Sequence, residues 1–443
     1  MKRLSSIILL IIAILSLSSC SNKETLLFLN WGEYIDEELI AKFEKEYNCT
    51  VVMDLADSNE LFYSKVSAGT TVYDVVCPSD YMVIKMYNKG LLSEIDFSKI
   101  SYDPNSLDVR NGIKEVTKIM QDNSNDDIVN YFVPYLWGTW GIMYSTNKEG
   151  LEDAILGAEN EWSCLFDRSI LPAGTKVAMY DSYQHDYYAL CRYLGYDVYE
   201  ELPSSTLNKM KDIIKTMSFD AWGNDNIKKQ IVAGNYDVGF MWTGDFLYYY
   251  CENIANIVTE AYINGEIDYT EFEDMINQMT LGDEVYKSKK GKDYTIGFDL
   301  FIPKDTVAFC DNLVITKDSY NKDLAHKFID FMTSYKFETE EEVLSPAFAN
   351  TYYVCYDAPL ISVYKEILGL KDEIDYSLAD IEIFKEQKDD PFDSDLYWSF
   401  YDYATSIAFS KYYPENEFKG SILATFERNY VSEISRTFNN AKV

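Results

Sequence analysis

Short apolar runs alternate with amphipathic stretches along the chain. Thr25 to Trp31 is an apolar run of strand length, and Asp36 to Tyr47 carries Leu39, Ile40, Phe43 and Tyr47 on one helical face. Thr50 to Leu55 is a second β-rich run. Asp57-Ser58-Asn59-Glu60 then has capping-box spacing, which predicts a helix capped by Asp57 and running to about Ala68. Tyr73 to Cys77 completes a strand–helix–strand–helix–strand unit, the signature of an α/β layer with a mostly parallel sheet. In such sheets ligands sit beyond the carboxyl ends of the strands. Those ends are Trp31-Gly32-Glu33-Tyr34 and Pro78-Ser79-Asp80-Tyr81, both rich in aromatic and polar groups. The alternation resumes with a strand at Lys176 to Tyr180, a helix at Tyr187 to Leu194 and a strand at Tyr236 to Trp242. Strand runs at Gly297 to Ile302 and Asn312 to Thr316 follow. The helix at Asp323 to Tyr335 has Leu324, Phe328, Phe331 and Met332 on its apolar face. Two α/β lobes joined by more than one crossover fit this pattern, although periodicity does not locate the crossovers.

The first residues have a different character. Lys2 and Arg3 precede an apolar stretch from Ile7 to Leu17, and Leu17-Ser18-Ser19-Cys20 follows. A basic head, a short apolar core and small residues before a cut describe a secretory signal peptide. The core falls short of the roughly 20 apolar residues of a membrane span. Leu-Ser-Ser-Cys resembles a bacterial lipobox, so residues 1–20 are expected to be a lipoprotein leader, with Cys20 acylated. The expected location is extracytoplasmic, with a lipid tether to the cell membrane.

Composition narrows the function. A formal charge of −34 argues against a nucleic-acid partner, since phosphate contacts need clustered Lys and Arg. It suits cationic ligands, which a negative field steers inward. Besides Cys20 there are seven scattered cysteines with no C-x-x-C pair, so neither a disulfide framework nor a zinc site is indicated. Val76-Cys77 and Phe309-Cys310 place two of them in apolar runs, as small buried hydrophobes. With only His185 and His326, and no G-x-S-x-G, P-loop or H-E-x-x-H, the chain reads as a binding protein rather than an enzyme, with no cofactor or metal.

Several blocks resemble the spermidine/putrescine-binding proteins of polyamine ABC importers. They are Leu29-Asn30-Trp31-Gly32-Glu33-Tyr34-Ile35, Tyr73 through Met82, Val133 through Thr139, Arg192-Tyr193-Leu194-Gly195-Tyr196, and Gly234 to Asp245 with Met241-Trp242-Thr243-Gly244. They run in the family's order from about Leu27 to Tyr353. The resemblance implies a type II periplasmic-binding-protein fold, with two α/β lobes around a ligand cleft. One lobe would be residues 21–132 with about 300–365, the other about 133–299 with about 366–443. It also implies a monomeric protein that captures a polyamine, putrescine or spermidine, and delivers it to an ABC permease. A polyamine is a methylene chain with charged nitrogens. Aromatic faces cover the methylenes and attract the ammonium groups by roughly 0.5–2 kcal/mol each, and each desolvated nitrogen needs acidic or hydrogen-bonding partners. Carried over, the aromatic walls are Trp31, Tyr34, Tyr81, Trp242 and Tyr353. Glu33 meets a terminal ammonium, Ser79 shapes the floor, and Asp311 holds an inner nitrogen.

The sequence also departs from the family. Phe309 stands where a Trp is common, and Ala221 replaces a polar position, although adjacent Trp222 could contribute another wall. In Tyr180 to Asp186, Asp181 is the expected acid, but Ser182 and His185 hold positions that can be acidic. Asp186 could substitute by a one-residue shift; otherwise a shorter diamine is favoured over spermidine. His185 itself reads as a surface or supporting residue, and Asp245 as either a helix cap or a site acid. The charged stretch Asn253 to Asp293 and the acidic run Thr339 to Glu342 read as solvated insertions. The alternatives are another cationic solute, ferric iron held by paired tyrosines, or a transporter-independent surface sensor on the same fold.

Overall fold

The computed structural model describes residues 23–223, 225–281, 285–374, 392, 394–413, 420–424, 426 and 428–442. The leader and Cys20 lie outside the described residues. Among those described, no helix is long and apolar enough to cross a membrane.

Among the described residues eleven strands form one curled sheet. The path begins with β1 (Thr25–Asn30), β2 (Thr50–Leu55) and β3 (Val75–Val76), all parallel, with β4 (Leu92–Ser93) beside them. The other end holds β6 (Val177–Tyr180), β7 (Ala221–Gly223) and β8 (Val238–Trp242), again parallel. Two long antiparallel strands join the ends: β5 (Val133–Ser145) and β10 (Thr306–Thr316). The last residues of β10 pair with β3 and β4, and its first pair with β11 (Gly420–Ser421). The far half of β5 pairs with β8 and with β9 (Phe298–Phe301). These two strands are therefore the crossovers that periodicity could not locate.

Local chemistry explains the elements near the cleft. Asp36 caps α1 (Glu37–Tyr47), accepting from the Glu38 N–H at 2.9 Å. In α2 (Asn59–Ala68) the cap is Ser58, whose hydroxyl accepts from the Leu61 N–H at 3.3 Å. The expected Asp57–Glu60 box thus shifts by one residue, and Glu60 is not consumed in it. Helix α3 (Asp80–Asn88) starts at Ser79 without a side-chain cap, because that hydroxyl is engaged elsewhere. Helix α4 (Tyr183–Leu194) begins four residues before the periodicity suggests, placing Gln184 and His185 in its first turn.

Among the described residues two large hydrophobic cores flank the crossovers. The larger contains the first lobe, including α8 (Lys322–Thr333), together with α6 (Thr243–Ile263), α7 (Phe272–Leu281) and α10 (Asp395–Tyr412). The smaller surrounds α4 and α11 (Arg428–Asn439). The expectation that Asn253 to Asp293 is a solvated insertion is corrected. Ile254, Val258, Phe272, Met275, Ile276 and Met279 are buried, while Glu260, Asp268, Asp274 and Asp293 are exposed. The acidic turn at Thr339 to Glu342 does lie at the surface, where Lys45 pairs with exposed Glu341. All seven described cysteines are buried and unbridged.

Candidate functional site

A cavity of about 460 Å³ opens between the two ends of the sheet, within the range of small-molecule sites. It is lined by Trp31, Glu33, Tyr34, Ser79, Tyr81, Asp181, Trp242 and Asp311. Eight of the nine ligand residues inferred from the sequence therefore converge on one space.

Asp311 is the buried anion at the centre. Asp311 lines the cavity from β10, at the point where its ladder with β5 is interrupted by a β-bulge: Asp311 faces Leu136 and Asn312 faces Pro134, leaving Tyr135 of β5 unopposed. Asp311 Oδ1 accepts from the Ser79 hydroxyl at 2.5 Å, and Ser79 in turn accepts from Asn59 Nδ2 at 2.9 Å. The Tyr34 hydroxyl faces the same carboxylate without the alignment of a full hydrogen bond. Burial pushes Asp311 up to about 6, against the pull of Ser79 and Tyr34. Behind it, Asp80 accepts backbone N–H bonds from Cys310 at 2.8 Å and Tyr81 at 2.6 Å, and burial raises it to about 7.

Aromatic rings build the walls. Trp31 follows β1 and packs on Phe62, with centroids 4.6 Å apart. Trp242, ending β8, meets Tyr180 edge-on at 4.5 Å. His185 stacks on Trp140 at 4.3 Å and lies near Tyr180, Phe240 and Trp242. Burial, with the charge of Lys442, lowers its imidazole to about 3, so the ring is neutral. His185 is thus a wall of the cavity, not the surface or supporting residue expected.

Tyr353 is corrected. It is 54% exposed and does not line the cavity. Helix α9 (Pro346–Val354) ends in a left-handed Cys355 (φ 58°), which turns the chain so that Tyr356 faces inward instead. Its ring meets Tyr34 at 4.9 Å and Phe309 at 6.0 Å. Gly244 permits this, since a Cβ there would fall 2.4 Å from the Tyr356 ring.

The acids at the two ends are already met by lysines. Asp181 is half-exposed, 2.8 Å from Lys442 Nζ. Asp186 does not substitute for the missing family acids: it is buried, lies outside the cavity, and touches the same ammonium at 2.9 Å without hydrogen-bond alignment. Trp222 is not a wall either, as its ring carries Lys442 at 4.2 Å. Asp245 lines the cavity in the first turn of α6, without acting as the cap, and lies 3.2 Å from Lys228. Glu33, in a left-handed turn (φ 53°), is 3.9 Å from Lys228 and 3.6 Å from Lys229.

Sequence reasoning missed Glu60, Gln184, Lys228 and Tyr356. Glu60 faces the cavity near Tyr81 and Gln184. Burial raises its carboxyl, opposed by its own N–H, by Lys85 and by hydrogen bonds from those two side chains. The Tyr81 hydroxyl also reaches Gln184 Oε1 at 3.3 Å across the cleft. A cap placed at Ser58 rather than Asp57 would have exposed Glu60 as a candidate; no sequence signal marked Lys228. Among the described residues no cluster of His, Cys, Asp and Glu is suited to hold a metal.

Known proteins resemble this chain in sequence and in fold. Residues 29–337, more than half of the chain, match the family model of the bacterial extracellular solute-binding proteins. The putrescine-binding periplasmic protein PotF of Escherichia coli is 26% identical over 326 residues, covering 70% of this chain and 74% of that protein. The putrescine/cadaverine-binding protein of Pseudomonas aeruginosa is 25% identical over 315 residues, with the same coverage of 70% and 74%. Among solved structures, a putative spermidine/putrescine ABC transporter protein of Listeria monocytogenes superposes with a TM-score of 0.60 at 24% identity. It covers 95% of this chain and 99% of that one. The TpPotD lipoprotein of Treponema pallidum gives 0.58 at 20% identity, with the same coverage of 95% and 99%. These likenesses establish the two-lobed periplasmic-binding-protein fold.

Proposed function

The chain belongs to the bacterial extracellular solute-binding proteins, and on that premise we propose that it captures a polyamine, a diamine such as putrescine before a longer one, for an ABC importer. One observation carries the reading. A buried carboxylate, Asp311, stands at the centre of a cavity walled by Trp31, Tyr34, Tyr81, Trp242 and Tyr356. Aromatic faces cover methylenes and attract ammonium groups, and a buried carboxylate supplies the counter-charge that a desolvated nitrogen needs. The preference for a diamine follows from the far end of the cleft, where Ser182 and neutral His185 hold positions that can be acidic in relatives. The names of the relatives, which bind putrescine, cadaverine or spermidine, agree with this class.

The mechanism is capture without chemistry. A polyamine enters between the lobes, seats an ammonium on Asp311, and the lobes close by rotation about the crossover strands. A permease accepts the closed form. Acylation at Cys20 would tether the protein, as a monomer, outside the cytoplasmic membrane. Thermal shift of the protein beginning after Cys20, against putrescine, cadaverine, spermidine, spermine and basic amino acids, tests the reading. A ligand that binds only the native state raises its stability with the logarithm of saturation. The expected result is the largest shift with a diamine, abolished in Trp242→Ala. A shift with none of the polyamines refutes the assigned solute.

A further inference from the structure

The cleft contains a cation of its own. Lys228, on α5 (Asp225–Val232), lines the cavity with its side chain only 10% exposed. Its ammonium stands 3.2 Å from Asp245 Oδ1 and 3.9 Å from Glu33 Oε2. These three residues come from separate segments: the turn after β1, helix α5 and the first turn of α6. The ion pair to Glu33 therefore runs between the two ends of the sheet, across the cleft. Lys229, next along the chain, also reaches Glu33 at 3.6 Å, but from solvent, with 57% of its side chain exposed. An enclosed ammonium between two carboxylates at the edge of an aromatic cavity is what the end group of a diamine would itself require. Lysine has the right chemistry to imitate that group, since it too is a primary ammonium on a methylene stem.

We infer that Lys228 is a tethered competitor for the site: it occupies the Asp245–Glu33 position when the cleft is empty, and the second ammonium of a diamine binds by displacing it. The inference rests on the polyamine reading. Two consequences follow. The apparent affinity for a diamine is lowered by the fraction of molecules in which the lysine holds its place. A monoamine that seats its single charge on Asp311 leaves Lys228 where it is and meets no such competition. The lysine thus acts selectively against the second charge of a ligand, which tunes how much tighter a diamine binds than a monoamine of equal length.

Titration calorimetry with putrescine and with butylamine, on wild type, K228Q and K229Q, tests this. K228M serves as a second variant, and unliganded unfolding midpoints confirm that each protein is folded. If the lysine holds its position nine-tenths of the time, K228Q and K228M bind putrescine about tenfold tighter than wild type. Butylamine affinity stays the same, and K229Q matches wild type for both amines. Putrescine affinity that is unchanged or weaker in K228Q and K228M overturns the inference while leaving the polyamine reading intact. Equal tightening for butylamine, or for putrescine in K229Q, also overturns it, because the effect is then one of general field. Absence of polyamine binding in wild type and both Lys228 variants overturns the polyamine reading and the inference together.

Discussion

Replacing Asp311 by asparagine should make the empty protein more stable and nearly unable to bind. The carboxyl is 4% exposed and is raised from 3.8 to about 6, chiefly by burial. One pKa unit corresponds to about 1.4 kcal/mol, so keeping this group charged at pH 7 costs the fold about 3 kcal/mol. The sign follows from the direction of the shift. A carboxyl raised in the folded state makes the native protein bind more protons than the unfolded chain between 3.8 and 6. Its penalty is full above about pH 7 and fades as pH falls through 6 towards 3.8. Asparagine resembles the protonated acid and can still accept from Ser79. Asp311→Asn should therefore exceed wild type by about 3 kcal/mol at pH 7 and by roughly half that at pH 5. Denaturant unfolding at the two pH values measures the difference. Titration calorimetry at pH 7 should show a loss of diamine affinity of about 2 kcal/mol or more, roughly thirtyfold. A destabilised variant, or a stability gain that does not shrink on acidification, would refute the reasoning.

Other substitutions probe the surroundings of the cavity. Gly244→Ala places a Cβ 2.4 Å from the Tyr356 ring, which Tyr34 and Phe309 prevent from retreating freely. A cost of about 1–3 kcal/mol in unfolding and weaker ligand binding are expected; wild-type values in both would contradict the packing described. Lys442→Met unpairs buried Asp186, whose carboxyl burial already raises to about 7. The loss should approach about 3 kcal/mol at pH 8 and diminish at pH 5, where Asp186 is neutral, as unfolding curves at both pH values would reveal. Arg110→Met removes the counter-charge of buried Asp357, which now accepts from Arg110 Nη1 and, at 3.0 Å, from Trp137 Nε1. A drop of about 3–5 kcal/mol is expected, and a midpoint within error of wild type would count against that buried pair.

Much of the cleft was legible because its residues sit at strand ends. Trp31 and Trp242 close short apolar runs of strand length, and Ser79 begins a helix right after a strand. The crossovers were not legible, for two physical reasons. β5 contains Pro134, Gly138 and Gly141, residues that ordinarily punctuate a strand. β10 is buried on nearly every residue, so it has no alternation to find, and only its last five residues stood out. Tyr356 was missed for a local reason. The turn that aims it inward is made by a left-handed cysteine, not by the glycine that usually announces such a turn. Lys228 was invisible because a helical lysine is ordinarily solvated, and only tertiary placement brings it beside Asp245.

The position of Asp311 on a crossover strand also bears on how a ligand leaves. Rotation of one lobe against the other moves the walls most at the rim and least along the axis, where β5 and β10 run side by side. Trp31 and Tyr81 travel with one lobe, Trp242 and His185 with the other, while Asp311 stays near the pivot. Opening therefore strips the aromatic cover from both flanks before the central charge is disturbed. The cargo keeps its central charge paired while its aromatic cover is lost. A transport partner that pries the lobes apart would meet a ligand already half-unwrapped.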